Sequence, residues 1–321
     1  MKILITGGLG FIGSNLARRL VNENHDVTIV DSLIPEYGGN IFNVKDIKDK
    51  LTINISDLRD QYSISHLLKG KEIIFNLAAQ TGHTESMKKP FEDLEINSLA
   101  QLKLLENVKN VCPEAVVVYA STRQLYGKPK YLPVDEKHPI RPVDINGINK
   151  LSGEYFHLLF NDVYKIKTSV LRLTNTYGPG MRIKDARQIF LGIWIKNILT
   201  DQPILVYGDG KQVRDFNYVD DVVDALIRAS NTSEAFGQVM NLGSDQIINL
   251  ESLANRLIGL YPNSSWEKVP FPEFRKSIDI GDYYSNYKKS EKILSWAPKV
   301  GLEEGLKRTI NFYEKNIEYY L

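Results

Sequence analysis

One cysteine, Cys112, stands in a chain of 321 residues, so no disulfide can form within it. That usage suits a reducing compartment, and the thiol reads most simply as a small buried hydrophobe at a helix end. Long apolar runs are missing too. None reaches the roughly 18 residues that a bilayer-spanning helix needs. The first strand pattern starts at Lys2, leaving no room for a signal peptide, so the expected location is cytoplasmic, with no membrane partner. Charge of one sign is scarce: Lys and Arg number 40 against 39 Asp and Glu, a formal net charge of +1. With no basic excess to neutralise phosphates, nucleic acid is not an expected partner. The densest basic stretches, "KIKT" and "NYKKSEK", are mixed with acids or apolar residues and read as solvated faces. Internal repeats and low-complexity segments are absent from the sequence. What remains, 43% hydrophobic and 25% charged, is ordinary for a globular protein. The length suits one large α/β domain, alone or with a smaller companion.

The amino-terminal stretch "KILITGGLGFIGSNLARRLVNENHDVTIVDSL" has its parts in a telling order. A β-branched run, Ile3 to Thr6, meets a glycine cluster; an apolar-periodic helix follows from about Phe11 to Asn22; a second strand, Asp26 to Val30, ends at Asp31. Gly7, Gly10 and Gly13 stand in GxxGxxG spacing. A lone glycine pattern is a weak signal, but strand, turn, helix, strand and terminal acid in register make a strong one. Gly7 and Gly10 let the backbone turn sharply and approach a pyrophosphate, Gly13 lets helix and strand pack closely, and the helix amino terminus offers free N–H groups to the anion. Asp31 sits where a carboxylate accepts hydrogen bonds from a ribose 2′-hydroxyl and repels a 2′-phosphate. Neither Ser32 nor Leu33 brings a compensating cation, so NAD is expected rather than NADP.

Further βα units follow. "KLTINISDL" reads as a strand ending in Asp57, placed for an adenine edge, and "KEIIFNLAAQ" as a buried strand whose small Ala78 and Ala79 leave room for a cofactor backbone. "FEDLEINSLAQLKLLENVKNV" is a long amphipathic helix, and "EAVVVYASTRQLYG" is the next strand with its loop. Strands alternating with helices imply a Rossmann-type, doubly wound parallel sheet with ligands at the carboxyl ends of its strands.

Taken together, "TGGLGFIG", "NLAAQ", "YASTRQLYG", "LRLTNTYGPG", "VYGDGKQVRDFNYVDDVVDAL", "NLGS" and "LSWAPKVGLEEGLKRTI" resemble the extended short-chain dehydrogenase/reductases, specifically the nucleotide-sugar epimerases and dehydratases. The resemblance runs over nearly the whole chain. It implies an NAD-dependent enzyme acting on a nucleoside-diphosphate (NDP) sugar, with cofactor contacts from Gly7, Gly10, Phe11, Ile12, Gly13, Asp31, Asp57, Leu58, Ala78, Ala79 and Lys150. In that family a Ser or Thr, a Tyr and a Lys surround the nicotinamide, the Tyr removing a proton as hydride leaves a sugar carbon. Matching the motifs gives Thr122, four residues before Tyr126, and Lys150, the end of the YxxxK motif. The tyrosine position holds Asn146.

No other tyrosine fits. "YGKPK" at Tyr126 contains Gly and Pro and cannot form a helical face, and "YGDGK" at Tyr207 fails in the same way. Only "NGINK" opens a helix after the substrate loop. An amide has no protonation equilibrium near neutrality, so Asn146 can orient a substrate by hydrogen bonding but cannot be a general base, a role worth about 10²–10⁴ in rate. The loop "QTGHTESMKKP" holds two groups that can titrate, His83 and Glu85, and an imidazole suits proton transfer. The plainer reading of each is a loop residue satisfied by backbone or water. Three readings stand open: redox chemistry with His83, or a water held by Thr122 and Lys150, as base; proton transfer on a substrate that already carries a carbonyl; or a non-catalytic binder.

For the carboxyl-terminal half the resemblance implies a smaller substrate lobe, roughly 176–211 and 243–321, beside an NAD-binding domain of 1–175 plus about 212–242. Asn175 and Arg214 match the family's diphosphate-binding asparagine and arginine, and Arg275 resembles a second such arginine. In "RQIFLGIWIKNIL", Trp194 reads as core rather than as a platform for substrate. Helices 92–110 and 146–162, with apolar outer faces, fit the four-helix interface of a homodimer.

Overall fold

The structure, a computed structural model, describes residues 1–185, 187 and 189–321. Six parallel strands form first: β1 (Lys2–Thr6), β2 (Asp26–Asp31), β3 (Thr52–Ile55), β4 (Ile73–Asn76), β5 (Val116–Thr122) and β6 (Thr168–Leu173). Three short pairs join β7 (Asn175–Tyr177) to β10 (Phe216–Tyr218), β8 (Ile204–Tyr207) to β13 (Trp266–Val269), and β9 (Val213–Arg214) to β12 (Ile248–Asn249). The remaining strand, β11 (Val239–Asn241), returns to the main sheet beside β6. Its order is β11-β6-β5-β4-β1-β2-β3, so the chain reverses direction between β1 and β4. A crevice opens at such a reversal, outside the carboxyl ends of the strands.

Burial on both faces explains the near-continuous apolar strands. Ile3 and Ile5 of β1 pack into one core with α1 (Phe11–Asn22) and the carboxyl-terminal half, while Leu4 packs into a second core with α2 (Gln61–Leu68) and α5 (Ala100–Val111). Helix α1 has the bounds expected from its pattern. Cys112 is buried at the end of α5, and burial pushes its thiol up to about 11. Trp194 is buried on α7 (Phe190–Leu199), although one edge lines a cleft described below. Among the described residues no helix is long and apolar enough to cross a membrane.

Between β4 and α5 the chain runs through α3 (His83–Lys88), α4 (Pro90–Leu94) and a π-helical turn, Glu95–Leu99. These pack on α6 (Ile145–Tyr164), whose amphipathicity is inverted. Its inner face is largely polar, with Asn146, Asn149, Lys150, Glu154 and His157 all buried. Its outer face carries Ile148, Tyr155, Leu159 and Val163, all exposed. A helix so patterned must have its inner groups satisfied by partners rather than by apolar packing.

Candidate active site

Two clefts meet at the carboxyl ends of the strands. The proximal one, about 270 Å³, is lined by Gly7, Gly10, Phe11, Ile12, Gly13, Asp31, Asp57, Leu58, Ala78 and Ala79, and farther in by Thr122, Asn146 and Lys150. The distal one, about 560 Å³, is lined by Glu85, Arg214, Arg275 and the aromatic Tyr207 and Phe271 among others. His83, Arg123, Asn175 and Ile189 border both, and so form the neck between them.

The proximal cleft is built by backbone. Gly7 has φ +68°, and a Cβ there would lie 3.0 Å from the Ala78 backbone. A Cβ on Gly13 would come within 2.2 Å of the Gly7 carbonyl oxygen, so α1 can approach β1 only with glycine at that position. Gly10 caps α1 with no side chain, and no acid stands in its first turn, so the helix presents bare N–H groups to the cleft. The Thr6 hydroxyl accepts from the backbone N–H groups of Leu77 and Ala78, both at 3.0 Å, and pins the second wall to the first. Asp31 ends β2 with one oxygen accepting from Leu9 N (3.0 Å) and the other from Leu33 N (2.9 Å); burial raises its pKa against those bonds. Asp57 is less free than its sequence position implies. Arg59 Nε and Nη2 grip its carboxylate at 2.9 and 2.7 Å, which lowers its pKa and leaves fewer lone pairs for an adenine edge. Small glycines, an anion-binding helix end and a ribose-facing acid together fit a dinucleotide.

Asn146 is held rather than mobile. Its Nδ2 donates to Gln80 O at 2.7 Å and to Asp93 Oδ2 at 3.1 Å, both pure acceptors, which fixes the amide orientation. Asp93 is fully buried and also accepts from Asn97 (3.0 Å) and Asn149 (2.8 Å). Lys150 stands one turn on, its Nζ donating to Ala120 O at 2.6 Å and lying 4.2 Å from the Tyr119 ring centre. Burial pushes this amine down to about 7, with Asp93 and Glu154 opposing. Tyr119 is not a displaced tyrosine. Its hydroxyl is shut inside the protein without a partner, its pKa is driven far up by burial, and it is not part of either lining.

The structure gives His83 a partner that the sequence did not announce. Its Nδ1 lies 3.0 Å from Asp144 Oδ2, at ion-pair distance though off the ideal hydrogen-bond direction. Asp144 caps α6, accepting from Gly147 N at 2.7 Å, and takes a second bond from Gln124 Nε2 at 2.8 Å. Burial would raise its pKa, but His83, Gly147 and Gln124 outweigh that and hold it below the usual carboxylate range. The Thr122 oxygen accepts from Gln124 N (3.2 Å), leaving its proton free to donate. Glu85 lines the distal cleft only and pairs with Lys88 at 3.4 Å.

Of the residues expected at the diphosphate, Asn175 stands at the neck with its amide engaged: Oδ1 accepts from Arg123 (2.8 Å) and Nδ2 donates to Asp215 O (2.9 Å). Arg214 is buried, donates to the carbonyls of Val213 and Gly281, and faces Asp279 at 3.5 Å; burial and the nearby Arg123 push it down to about 10. Arg275 lies over the Tyr207 ring at 5.6 Å.

Comparison with known proteins agrees with this construction. Residues 3–243 match the NAD dependent epimerase/dehydratase family. The chain belongs to that family. It is an enzyme, and NAD is its cofactor. A putative UDP-glucose 4-epimerase of Methanocaldococcus jannaschii is 33% identical over 98% of this chain and 99% of its own length. The crystal structure of UDP-glucose 4-epimerase from Thermotoga maritima with UDP-glucose has a TM-score of 0.89 at 29% identity, covering 99% of this chain and 100% of that one. UDP-glucuronic acid 4-epimerase from Bacillus cereus, in complex with UDP-glucuronic acid and NAD, has a TM-score of 0.87 at 27% identity, covering 98% of this chain and 100% of that one. The enzyme therefore modifies nucleotide sugars with NAD.

Proposed function

We propose that the enzyme is an epimerase of an NDP-hexose in which His83 does the proton transfer that a tyrosine does in its relatives. The observation that carries this reading is the His83–Asp144 pair at the neck, where a sugar held in the distal cleft reaches the cofactor. NAD bound in the proximal cleft supplies a hydride acceptor and donor. His83 takes the proton of the hydroxyl on the reacting carbon and later returns it, while Asp144 stabilises the imidazolium. Thr122 donates to the same oxygen. Asn146, its nitrogen turned inward, offers only its carbonyl oxygen and so positions a hydroxyl or a water. Lys150, which lines the proximal cleft with its Nζ on Ala120 O, would donate hydrogen bonds to the bound cofactor. Dehydration is less well supported, because expelling a hydroxyl needs a second proton carrier besides the one that serves the reacting carbon, and among the described residues that border both clefts His83 alone is a general acid–base side chain. Arg214 and Arg275 suit the diphosphate, as doubly donating cations at the distal end.

The exposed apolar stripe of α6 adjoins Phe91 (78% exposed), Leu94 and Leu99, which supports a homodimer built on these helices. A panel of nucleotide sugars incubated with enzyme and NAD tests the function. The expected result is a stereoisomer of unchanged mass; loss of water from the product, or turnover of free sugars alone, contradicts it.

A further inference from the structure

Arg123 is a half-buried arginine with no assigned role. It follows Thr122 at the end of β5, and its Nη2 donates to Asn175 Oδ1 at 2.8 Å. Its Nη1 is shut off from solvent and has no partner, and its guanidinium lies 5.1 Å from the Tyr283 ring centre. Among the described residues no carboxylate lies within ion-pair distance of it. The acid that acts on it most strongly, Asp215, is itself engaged by the Thr174 hydroxyl and by Ser285 N at 3.0 Å. The three acids of the distal cleft are likewise committed: Glu85 to Lys88, Asp185 to Arg187 and Asp279 to Arg214. A cation with one nitrogen closed off from water and left unpaired is costly to the fold, so such a residue is explained best by an anion that arrives from outside.

Position decides which anion. Arg214 and Arg275 line the distal cleft alone, where a diphosphate belongs, whereas Arg123 borders both clefts beside His83. A group within its reach sits on the same sugar ring that faces the cofactor. We propose that Arg123 recognises a carboxylate on the sugar ring, which makes the substrate a nucleoside-diphosphate uronic acid. This rests on the nucleotide-sugar reading of the site.

Calorimetry on the NAD-loaded enzyme tests it. UDP, dTDP, GDP and CDP are titrated first, and the glucose and glucuronate conjugates of the best binder follow, on wild type, Arg123→Gln and Arg123→Lys. The wild type should hold the glucuronate conjugate about tenfold or more tighter than the glucose conjugate, the span of one charge-assisted hydrogen bond. Arg123→Gln, whose amide can still donate to Asn175 Oδ1, should erase that gap while weakening the bare diphosphate far less, and Arg123→Lys should keep part of it. Equal affinities in the wild type would overturn the inference, as would an Arg123→Gln enzyme that loses the bare diphosphate to the same extent. Failure of all four diphosphates to bind would instead overturn the nucleotide-sugar reading, and this inference with it.

Discussion

At the scale of single residues, Asn146 is a structural anchor as much as a site residue. It ties the loop after β4 to α6 through Gln80 and supplies one of three amide donors to the buried Asp93. Asn146→Ala leaves that carboxylate short of a donor in a region closed to water, a loss worth about 1–3 kcal/mol. Urea denaturation should show a destabilisation of that size, and turnover should fall less than tenfold, since Ala removes an orienting group and no proton carrier. The substitution of Asn for Tyr was legible in "NGINK" because the motif is local. Asp93 was not: it stands 53 positions from Asn146, and only the packing of α4 against α6 brings them together. Asp144 stands two residues before that motif and the sequence did not single it out, and its ion-pair contact with His83 depends on where α3 lands.

At the scale of elements, α6 shows what a polar inner face costs. Lys150 is buried with its nearest acids already bound to other donors, so its amine sits at about 7 against about 10.4 in an unfolded chain. Between those values the unfolded chain binds more protons than the native one, so stability rises with pH across that window. The NAD-free protein should therefore gain stability between pH 7 and pH 9, and Lys150→Met should lose that gain. Denaturant midpoints at the two pH values check this; an equal rise in the variant would show that Lys150 is not the source. His157 on the same face is pushed down to about 4 by burial, so its contribution is complete above about pH 6.5 and is lost as pH falls toward 4. The bounds of α1 and the two strands that flank it could be read in advance, because glycines, an apolar period and a terminal acid act locally. The inverted face of α6 could be anticipated only as an apolar stripe without a core to cover.

At the scale of the whole molecule, the stripe of Ile148, Tyr155, Leu159 and Val163 leaves apolar area in water unless a second copy covers it. Leu159→Glu should turn a dimer into a monomer in sedimentation analysis with NAD still bound; an unchanged sedimentation coefficient would place the interface elsewhere. Sheet, crevice and cofactor cleft followed from the order of elements in the sequence, whereas the neck between the clefts is made by four residues drawn from separate segments. Its chemistry is the centre of the account, and the turnover of His83→Gln tests it most directly. That variant keeps a hydrogen-bonding side chain beside Asp144 but carries no titratable proton. With NAD and nucleoside-diphosphate affinities unchanged, its kcat should fall on the order of 10²-fold or more, the share of a positioned acid–base. Wild-type turnover in His83→Gln would contradict the account.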